Sequence, residues 1–175
     1  HGGVARGAKL AIFDASAETN FYAEMVGNDL WELADETGAK IHSNSWGSDA
    51  GCLHQPSGAL YDDYMYQNPE HLLIFAAGNS GNYSTDPLYE TCSVSSPAIA
   101  KNILAVGATS SGASRKPTTT ADGGYELPVA SDPADIDTVA WFSSRGPTID
   151  NRIKPEVVAP GDQVIRKSRG WGVGK

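Results

Sequence analysis

Two continuous apolar runs constrain the fold of this chain more than any other feature. The first, "HLLIFAA", spans residues 71–77, and the second, "KNILAVGAT", spans residues 101–109. Apolar residues that follow one another without polar alternation predict a β-strand buried on both faces, which is typical of a parallel sheet covered by helices. The chain is therefore expected to contain a buried parallel sheet.

Shorter patterns predict the remaining elements. A helix is predicted where apolar residues recur every three or four positions before Gly38, and a second helix is expected to end at Pro69. Residues 110–136, which are rich in Ser, Thr, Gly, Pro and Asp, are predicted to form a long exposed loop or hairpin. In chain order the full prediction is strand 8–14, helix 20–37, strand 39–47, helix 57–68, strand 71–77, strand 101–109, and short strands at 137–144 and 155–161. This alternation predicts an α/β fold with a doubly wound, mostly parallel sheet and helices on both of its faces.

The composition fits one globular domain over residues 1–175 and argues against two classes of partner. Of the residues, 40% are hydrophobic and 19% are charged, and the formal net charge of -8 disfavours binding to a nucleic-acid backbone. No apolar run approaches the roughly 18 residues that a membrane-spanning helix needs, so membrane insertion is not expected. The chain starts at His1 rather than Met, and we therefore expect flanking parts of the natural protein to be missing.

The two cysteines, Cys52 and Cys92, match neither the spacing of a metal site nor a CxxC redox motif. They either form a disulfide, as in a secreted protein, or remain buried free thiols. The triplet Asn82-Tyr83-Ser84 is an acceptor pattern for N-glycosylation and fits a surface loop of a secreted protein. We therefore expect a secreted, extracellular protein in which Cys52 and Cys92 are the candidates for a disulfide.

Two short segments follow predicted strands and are candidates for a ligand site. Ser45-Trp46-Gly47 ends the strand at 39–47, and Ala76-Ala77-Gly78-Asn79 ends the strand at 71–77. In an open parallel sheet, ligands bind at the carboxyl ends of the strands. Small residues there let a substrate backbone approach, and the side-chain amide of Asn79 offers two donors that could stabilise an oxyanion. An asparagine beside glycine is also common as a turn residue in the left-handed conformation, so both interpretations of Asn79 stand on the pattern alone.

Several motifs together resemble those of the subtilisin-like serine proteases, family S8. The resemblance extends from Gly3 to about Gly161, and it covers most of the sequence. It implies a subtilisin-like α/β fold, here incomplete, and a serine-type endopeptidase that hydrolyses peptide bonds of a polypeptide substrate through an acyl-enzyme. The motifs are "GVARGAKL" at 3–10, "NSWG" at 44–47, "FAAGNSG" at 75–81, "SSPAIAKNILAVGAT" at 95–109 and "FSSRGPTIDNRIKPEVVAPG" at 142–161.

The resemblance assigns a role to both candidate segments. Asn79 matches the asparagine whose side chain helps to form the oxyanion hole. The segment Ser45, Trp46 and Gly47 matches the strand that pairs with the substrate backbone and forms one wall of the S1 pocket. The segment Ala76, Ala77 and Gly78 matches the opposite wall.

The resemblance also bears on a proline and on metal binding. Ser96-Pro97 is a candidate cis peptide bond, because the matching region of the family often carries one; an ordinary trans turn is the other interpretation. Catalysis is expected to need no cofactor, although structural calcium is common in the family. The acidic residues Asp132, Asp135 and Asp137 either bind calcium or form a solvated turn, so the metal ligands stay unknown.

The catalytic triad of the family has no counterpart in this sequence. Its Asp and His motifs would precede Gly3 and its nucleophile motif would follow Gly161, where the tail "RKSRGWGVGK" departs from the expected course. We therefore expect the isolated chain to be inactive, and His1 not to be catalytic. A propeptide or an accessory domain is possible in the full-length protein. The alternative hypothesis is a non-catalytic, subtilase-like module that binds extended peptides without hydrolysing them.

Overall fold

The computed structural model describes residues 5–12, 28–48, 52–81, 92–110, 118–119, 125–126 and 138–161. Four strands form one sheet in the order β1-β2-β3-β6, and a separate antiparallel pair joins β4 to β5. In chain order the elements are α1 Asn28–Glu36, β1 Ile41–Asn44, α2 Pro56–Gln67, β2 Leu72–Ala76, β3 Leu104–Thr109, β4 Thr118–Thr119, β5 Tyr125–Glu126 and β6 Val157–Pro160. Neither described helix is long and apolar enough to cross a membrane.

All pairings in the four-stranded sheet are parallel, which confirms the predicted α/β class. Asn44 at the end of β1 lies opposite Phe75, and Ala76 at the end of β2 lies opposite Val106. The carboxyl ends of β1 and β2 are therefore neighbours at one edge of the sheet. This is the edge where ligands bind in sheets of this kind.

Both described helices end where the sequence predicts. At the end of α1, Gly38 adopts a positive φ of 73°, and its N–H donates to the carbonyl oxygen of Asp35 at 2.9 Å. Such a left-handed residue at a helix terminus favours glycine, which has no Cβ to strain. Helix α2 begins at Pro56, a favourable first helical residue, and ends at Gln67, two residues before Pro69.

The hydrophobic core lies between these helices and one face of the sheet. Trp31 of α1 stacks on Tyr64 and meets the edge of Tyr61, with ring centroids 4.9 and 5.6 Å apart, so the two helices are neighbours. Tyr61 in turn contacts Phe75 of β2, with centroids 5.4 Å apart. The two helices therefore cover the sheet face that carries Leu73 and Phe75, both of which are 0% exposed.

The prediction that β2 is buried on both faces is wrong. Burial alternates along the strand: Leu73 and Phe75 are buried, whereas Leu72 and Ala76 are exposed. Ile41 of β1 pairs with Leu72, and its side chain is 67% exposed. The reason is that both described helices pack on the same face, and within the described residues the face of Ile41 and Leu72 stays open.

Two predicted strands are not formed as expected. Residues 8–12 of the predicted strand 8–14 have no regular structure, and Leu10 and Ile12 are 82% and 87% exposed. An apolar run does not specify a partner strand, and this one pairs with none of the described strands. The predicted strand 137–144 reduces to one antiparallel bridge between Val139 and Thr109, followed by a turn.

A disulfide and three cis prolines are further features of the described chain. Cys52, just before α2, is bonded to Cys92, with the two Cα atoms 5.9 Å apart. The predicted cis bond at Ser96-Pro97 is confirmed, and Gly146-Pro147 and Lys154-Pro155 are also cis. The possible glycosylation triplet, the acidic residues considered for calcium, His1, residues 20–27 of the predicted first helix and the tail after Gly161 lie outside the described residues.

Candidate functional site

A cavity of about 330 Å³ opens at the carboxyl ends of β1 and β2. It brings together the two segments that the sequence singles out, although they are about thirty positions apart in the chain. Of the predicted residues only Ala77 is absent from the lining, and two serines that the sequence did not indicate are present. The lining residues are Ser45, Trp46, Gly47, Ala76, Gly78, Asn79, Ser80 and Ser95.

The first wall of the cavity is fixed by contacts of Trp46. Its indole Nε1 donates to Asn44 Oδ1 at 3.2 Å, and its ring meets Phe75 edge to face with centroids 5.2 Å apart. Asn44 itself donates from Nδ2 to the carbonyl oxygen of Ile74 at 3.2 Å, which ties β1 to β2. The position of Trp46 is therefore set by the core and by the strand pairing beneath it.

A pair of backbone hydrogen bonds joins the first wall to the segment that contains Ser95. The N–H of Ser48 donates to the carbonyl oxygen of Ser96 at 2.8 Å, and the N–H of Ser96 donates to the carbonyl oxygen of Ser48 at 2.9 Å. Ser95 also donates to the carbonyl oxygen of Ala77, from its N–H at 2.9 Å and from its Oγ at 3.1 Å. Ala77 is buried, so it supports the cavity from below by holding Ser95 instead of lining the space.

The second wall turns sharply at Gly78. This residue has a φ of 115°, a backbone conformation that other residues adopt only with strain. A Cβ built on Gly78 would lie only 2.7 Å from the Oγ of Ser144. Both the conformation and the close contact therefore require glycine at the position that precedes Asn79.

Asn79 lies exposed at the cavity, and its side chain makes no hydrogen bond to any residue in the described part of the chain. Its amide can therefore donate to a ligand in the cavity without breaking a bond to the protein. The eight lining residues are all neutral serine, glycine, alanine, asparagine or tryptophan. Negative charge that develops here would be stabilised by amide and hydroxyl dipoles rather than by a cation.

None of the three described histidines lines the cavity. His42 packs against Trp31 with centroids 5.0 Å apart, and burial lowers the pKa of His42 below its usual 6.5. His54 is exposed, and its Nε2 lies 3.0 Å from Asp62 Oδ2. His71 precedes β2 and is buried at the opposite end of that strand from the cavity.

A group of ionisable side chains surrounds His71 at the amino ends of β1 and β2. The Nε2 of His71 lies 2.9 Å from Asp35 and 2.8 Å from Lys40 Nζ, and its Nδ1 lies 2.5 Å from the hydroxyl of Tyr64. The hydrogen bond between Lys40 and Asp35 lowers the pKa of Asp35 and raises the pKa of Lys40. Burial raises the pKa of Tyr64 to about 12. Among the described residues there is no cluster of three acidic, His or Cys side chains able to hold a metal ion.

Ser80 and Ser95 both lie within motifs that carry the family resemblance, but the sequence assigns neither of them a role in a ligand site. Ser95 lies two residues before Pro97, a candidate for a cis peptide bond, and Ser80 directly follows Asn79. The single signal for Ser95 was its place in the motif "SSPAIAKN". The sequence does not show that the segment containing Ser95 contacts both walls of the cavity.

Comparisons with known proteins identify the family of this chain. The profile of the Subtilase family, Peptidase_S8, matches residues 1–173. The serine protease/ABC transporter B family protein tagD of Dictyostelium discoideum is 27% identical over 97% of this chain, and serine protease AprX of Bacillus subtilis is 36% identical over 54% of it. This chain spans only 12% and 16% of the lengths of those two proteins.

A solved structure matches the fold. The PatG macrocyclase in complex with peptide has a TM-score of 0.53 and 19% identity over 85% of this chain, which covers 33% of that protein. At that identity the likeness bears on the fold alone. Because the family profile matches nearly the whole sequence, this chain belongs to the Subtilase family of serine peptidases.

Proposed function

We propose that this chain is the substrate-binding and oxyanion-stabilising part of a serine-type endopeptidase. In the natural protein, a serine would attack the peptide carbonyl to form an acyl-enzyme, and Asn79 would donate to the oxyanion of the tetrahedral intermediate. The observation that carries this proposal is the cavity in which Asn79 lies beside the segment from Ser45 to Gly47. A donor and a strand edge at one cavity are two of the features that hydrolysis of an extended peptide requires, beside the nucleophile and its base.

The remaining lining residues would bind the substrate. The segment from Ser45 to Gly47 continues from β1, which is an edge strand among the described strands of the sheet, so an extended peptide can pair its backbone with it. The side chain that precedes the cleaved bond would enter the cavity between this segment and the wall formed by Ala76 and Gly78. Ala77 would act indirectly, through its hydrogen bonds with Ser95.

The isolated chain should not hydrolyse peptides. Catalysis by this family depends on Asp, His and Ser groups that act as a unit. Of the described histidines, each packs against or pairs with other groups away from the cavity lining. A peptidase rate that persists through purification of the 175-residue chain would contradict this part of the proposal.

The role of Asn79 is tested by Asn79→Ala in the intact natural protein. We expect kcat for a peptide substrate to fall by about 10²–10³, with little change in KM, because the donor acts mainly in the transition state; that magnitude is the one known for subtilisin itself. Asn102→Ala is the matched control, since Asn102 donates to the Asp62 backbone away from the cavity and should leave kcat unchanged. Equal kcat values for Asn79→Ala and the natural protein would rule out the oxyanion role.

A non-catalytic peptide-binding module is the second candidate, and it is favoured by the position of the cavity beside β1, with which an extended peptide could pair without being cleaved. Titration of the natural protein with an unmodified peptide distinguishes the two functions. Saturable binding with no cleavage products would favour the module. Cleavage that stops on treatment with a serine-directed inhibitor would favour the endopeptidase.

We also propose a polypeptide substrate, no cofactor for the chemical step and an extracellular location. The disulfide between Cys52 and Cys92 supports that location, because such bonds persist in oxidising compartments. A structural calcium ion and a propeptide or accessory domain are further proposals for the full-length protein. Growth of the natural host followed by detection of the protein in the medium tests the location.

A further inference from the structure

Ser144, a buried residue, makes hydrogen bonds to both neighbours of Asn79 in the chain. The N–H of Ser144 donates to the carbonyl oxygen of Gly78 at 3.1 Å, and the Oγ of Ser144 accepts from the N–H of Ser80 at 3.0 Å. Gly78 and Ser80 directly flank Asn79. A single serine, far away in the sequence, therefore fixes the backbone on each side of the proposed oxyanion donor.

The surroundings of Ser144 leave this arrangement little freedom. Ser144 is 0% exposed, so water cannot readily replace its hydroxyl as the acceptor for Ser80. The contact with Gly78 is tight, because an added Cβ there would come within 2.7 Å of the Ser144 Oγ. A third bond, from the N–H of Gly81 to the carbonyl oxygen of Phe142 at 2.9 Å, attaches the end of the same turn to the same segment.

The side chain of Asn79 needs such support because nothing else among the described residues holds it by a hydrogen bond. An oxyanion donor acts only if it is held in position before the charge develops. A displacement of about 1 Å can lower a rate roughly 10²-fold. The position of Asn79 therefore depends on the backbone of residues 78–80, which Ser144 fixes.

From these contacts we infer that Ser144 is a positioning residue for catalysis, which holds Asn79 where its amide can reach the oxyanion. This inference rests on the proposed function of Asn79. Ser144 touches neither the substrate nor the reacting atoms, and it acts through the turn. The motif "FSSRGPTID" at 142–150, which contains Ser144, thereby gains a role in positioning the oxyanion donor.

The neighbouring serine provides a matched control. Ser143 is also buried, at 1% exposed, and its Oγ also accepts a backbone N–H at 3.0 Å, but the donor is Ala108 of β3. Ser143→Ala and Ser144→Ala therefore remove the same group from adjacent positions. Only Ser144→Ala removes an acceptor from the turn that carries Asn79.

The first experiment is a double-mutant cycle in the intact natural protein, assayed with a peptide substrate. We expect Ser144→Ala to lower kcat about tenfold, the equivalent of one buried hydrogen bond, with KM within about twofold of the natural value. Ser143→Ala should leave kcat unchanged even if it lowers the melting temperature. In the Asn79→Ala background, Ser144→Ala should have no further effect, because its action runs through Asn79.

The outcomes separate the two proposals. If Asn79→Ala has no effect on kcat, the proposed function of Asn79 fails. If Asn79→Ala lowers kcat but Ser144→Ala does not, or if the two effects multiply, the positioning role of Ser144 is overturned. If Ser144 has only a structural role, Ser144→Ala and Ser143→Ala should both lower stability. Their kcat values should then be equal.

A second measurement does not depend on catalysis. Amide hydrogen exchange at Ser80 should be at least tenfold faster in Ser144→Ala than in Ser143→Ala, because only the former removes the acceptor of that N–H. Equal exchange rates would overturn the inference whatever the protein's activity. If Ser144→Ala does not fold, Ser144→Cys fills the position with a slightly larger side chain that is a weaker acceptor, and the same two readouts apply.

Discussion

The two ends of the central strands are built from different chemistry. At the carboxyl ends of β1 and β2, the cavity is lined by eight neutral residues and is held by backbone and hydroxyl hydrogen bonds. At the amino ends, ionisable side chains lie close together: Lys40 Nζ is 2.8 Å from His71 and 3.5 Å from Glu70, and it also pairs with Asp35. The cavity end therefore depends on shape, and the amino end depends on charge.

This difference indicates which property each end should control. Neutral dipoles do not titrate, so the cavity should keep its geometry across the physiological pH range. The amino end contains groups whose charges change with pH, and those changes should appear as changes in stability. Substitutions at one end should therefore affect peptide binding and cleavage, whereas substitutions at the other should affect the free energy of unfolding alone.

The largest expected difference in stability is between two glycines, one from each end. At the cavity, Gly78→Ala must adopt a φ near 115° and also contact Ser144, which should lower the free energy of unfolding by about 3 kcal/mol. Gly38 has a φ of 73°, but nothing lies within 4 Å of an added Cβ, so Gly38→Ala should cost about 1 kcal/mol. Urea unfolding of both variants of the intact protein measures the difference.

Activity makes the glycine comparison sharper. Gly78→Ala should also reduce peptide cleavage, because it displaces the turn that carries Asn79. Gly38→Ala should retain the natural kcat, since Gly38 ends α1 at the other end of the strands. Equal losses of activity in the two variants would show that the cavity is not independent of the amino end.

A smaller effect is expected from Tyr64→Phe at the amino end. This change removes the hydroxyl that lies 2.5 Å from His71 Nδ1 while keeping the ring that stacks on Trp31. We expect a loss of about 1 kcal/mol in the free energy of unfolding, the usual net value of a hydrogen bond, and no change in kcat or KM. Tyr66→Phe is the control, because Tyr66 is 81% exposed and should change neither quantity.

A fall in kcat without a fall in stability for Tyr64→Phe would reverse the comparison. It would mean that the ionisable group around His71 communicates with the cavity through β2. The assay should be run well below the melting temperature of the variant, so that unfolding does not imitate a loss of activity.

The sequence predicted the parts of the fold that depend on local patterns. The strand predicted at 71–77 is present as β2. It pairs with β1, and its alternate apolar side chains are buried there. The run at 8–14 has similar apolarity, yet residues 8–12 form no strand, since pairing is not encoded in the run itself. The sequence also did not predict that only one face of β2 is buried. An apolar run does not indicate which face of the sheet the helices will cover.

The candidate site shows the same limit. The segments at 45–47 and 76–79 were found because they follow strands, and parallel strands bring their carboxyl ends together. Ser95 lines the cavity and Ser144 supports its second wall, and both come from distant parts of the chain and are held by hydrogen bonds to Ala77, Gly78 and Ser80. Such contacts follow from the tertiary arrangement, and no spacing in the sequence marks them.

The smallest expected effect is a dependence of stability on pH that originates at His42. The Nε2 of His42 is buried with no hydrogen-bond partner among the described residues, and burial lowers the pKa of this side chain, as does the nearby His71, while Asp35 acts weakly in the opposite direction. The unfolded chain therefore binds this proton more readily than the folded protein does. The corresponding stability is fully present above about pH 6.5 and is lost as the pH falls through the lower folded value.

His42→Phe tests this dependence, because it keeps a ring against Trp31 and removes the titrating group. The difference in unfolding free energy between the natural protein and His42→Phe should be constant above pH 6.5 and should shift in favour of the variant below it. His54→Gln, a change at an exposed histidine that contacts Asp62, serves as the control for general effects of histidine removal. Peptide affinity at the neutral cavity should stay constant over the same range, since none of its lining residues titrates there. If affinity instead followed the unfolding free energy as the pH fell, the shape of the cavity would depend on the charges at the amino ends of the strands, and the two ends could not be treated as separate.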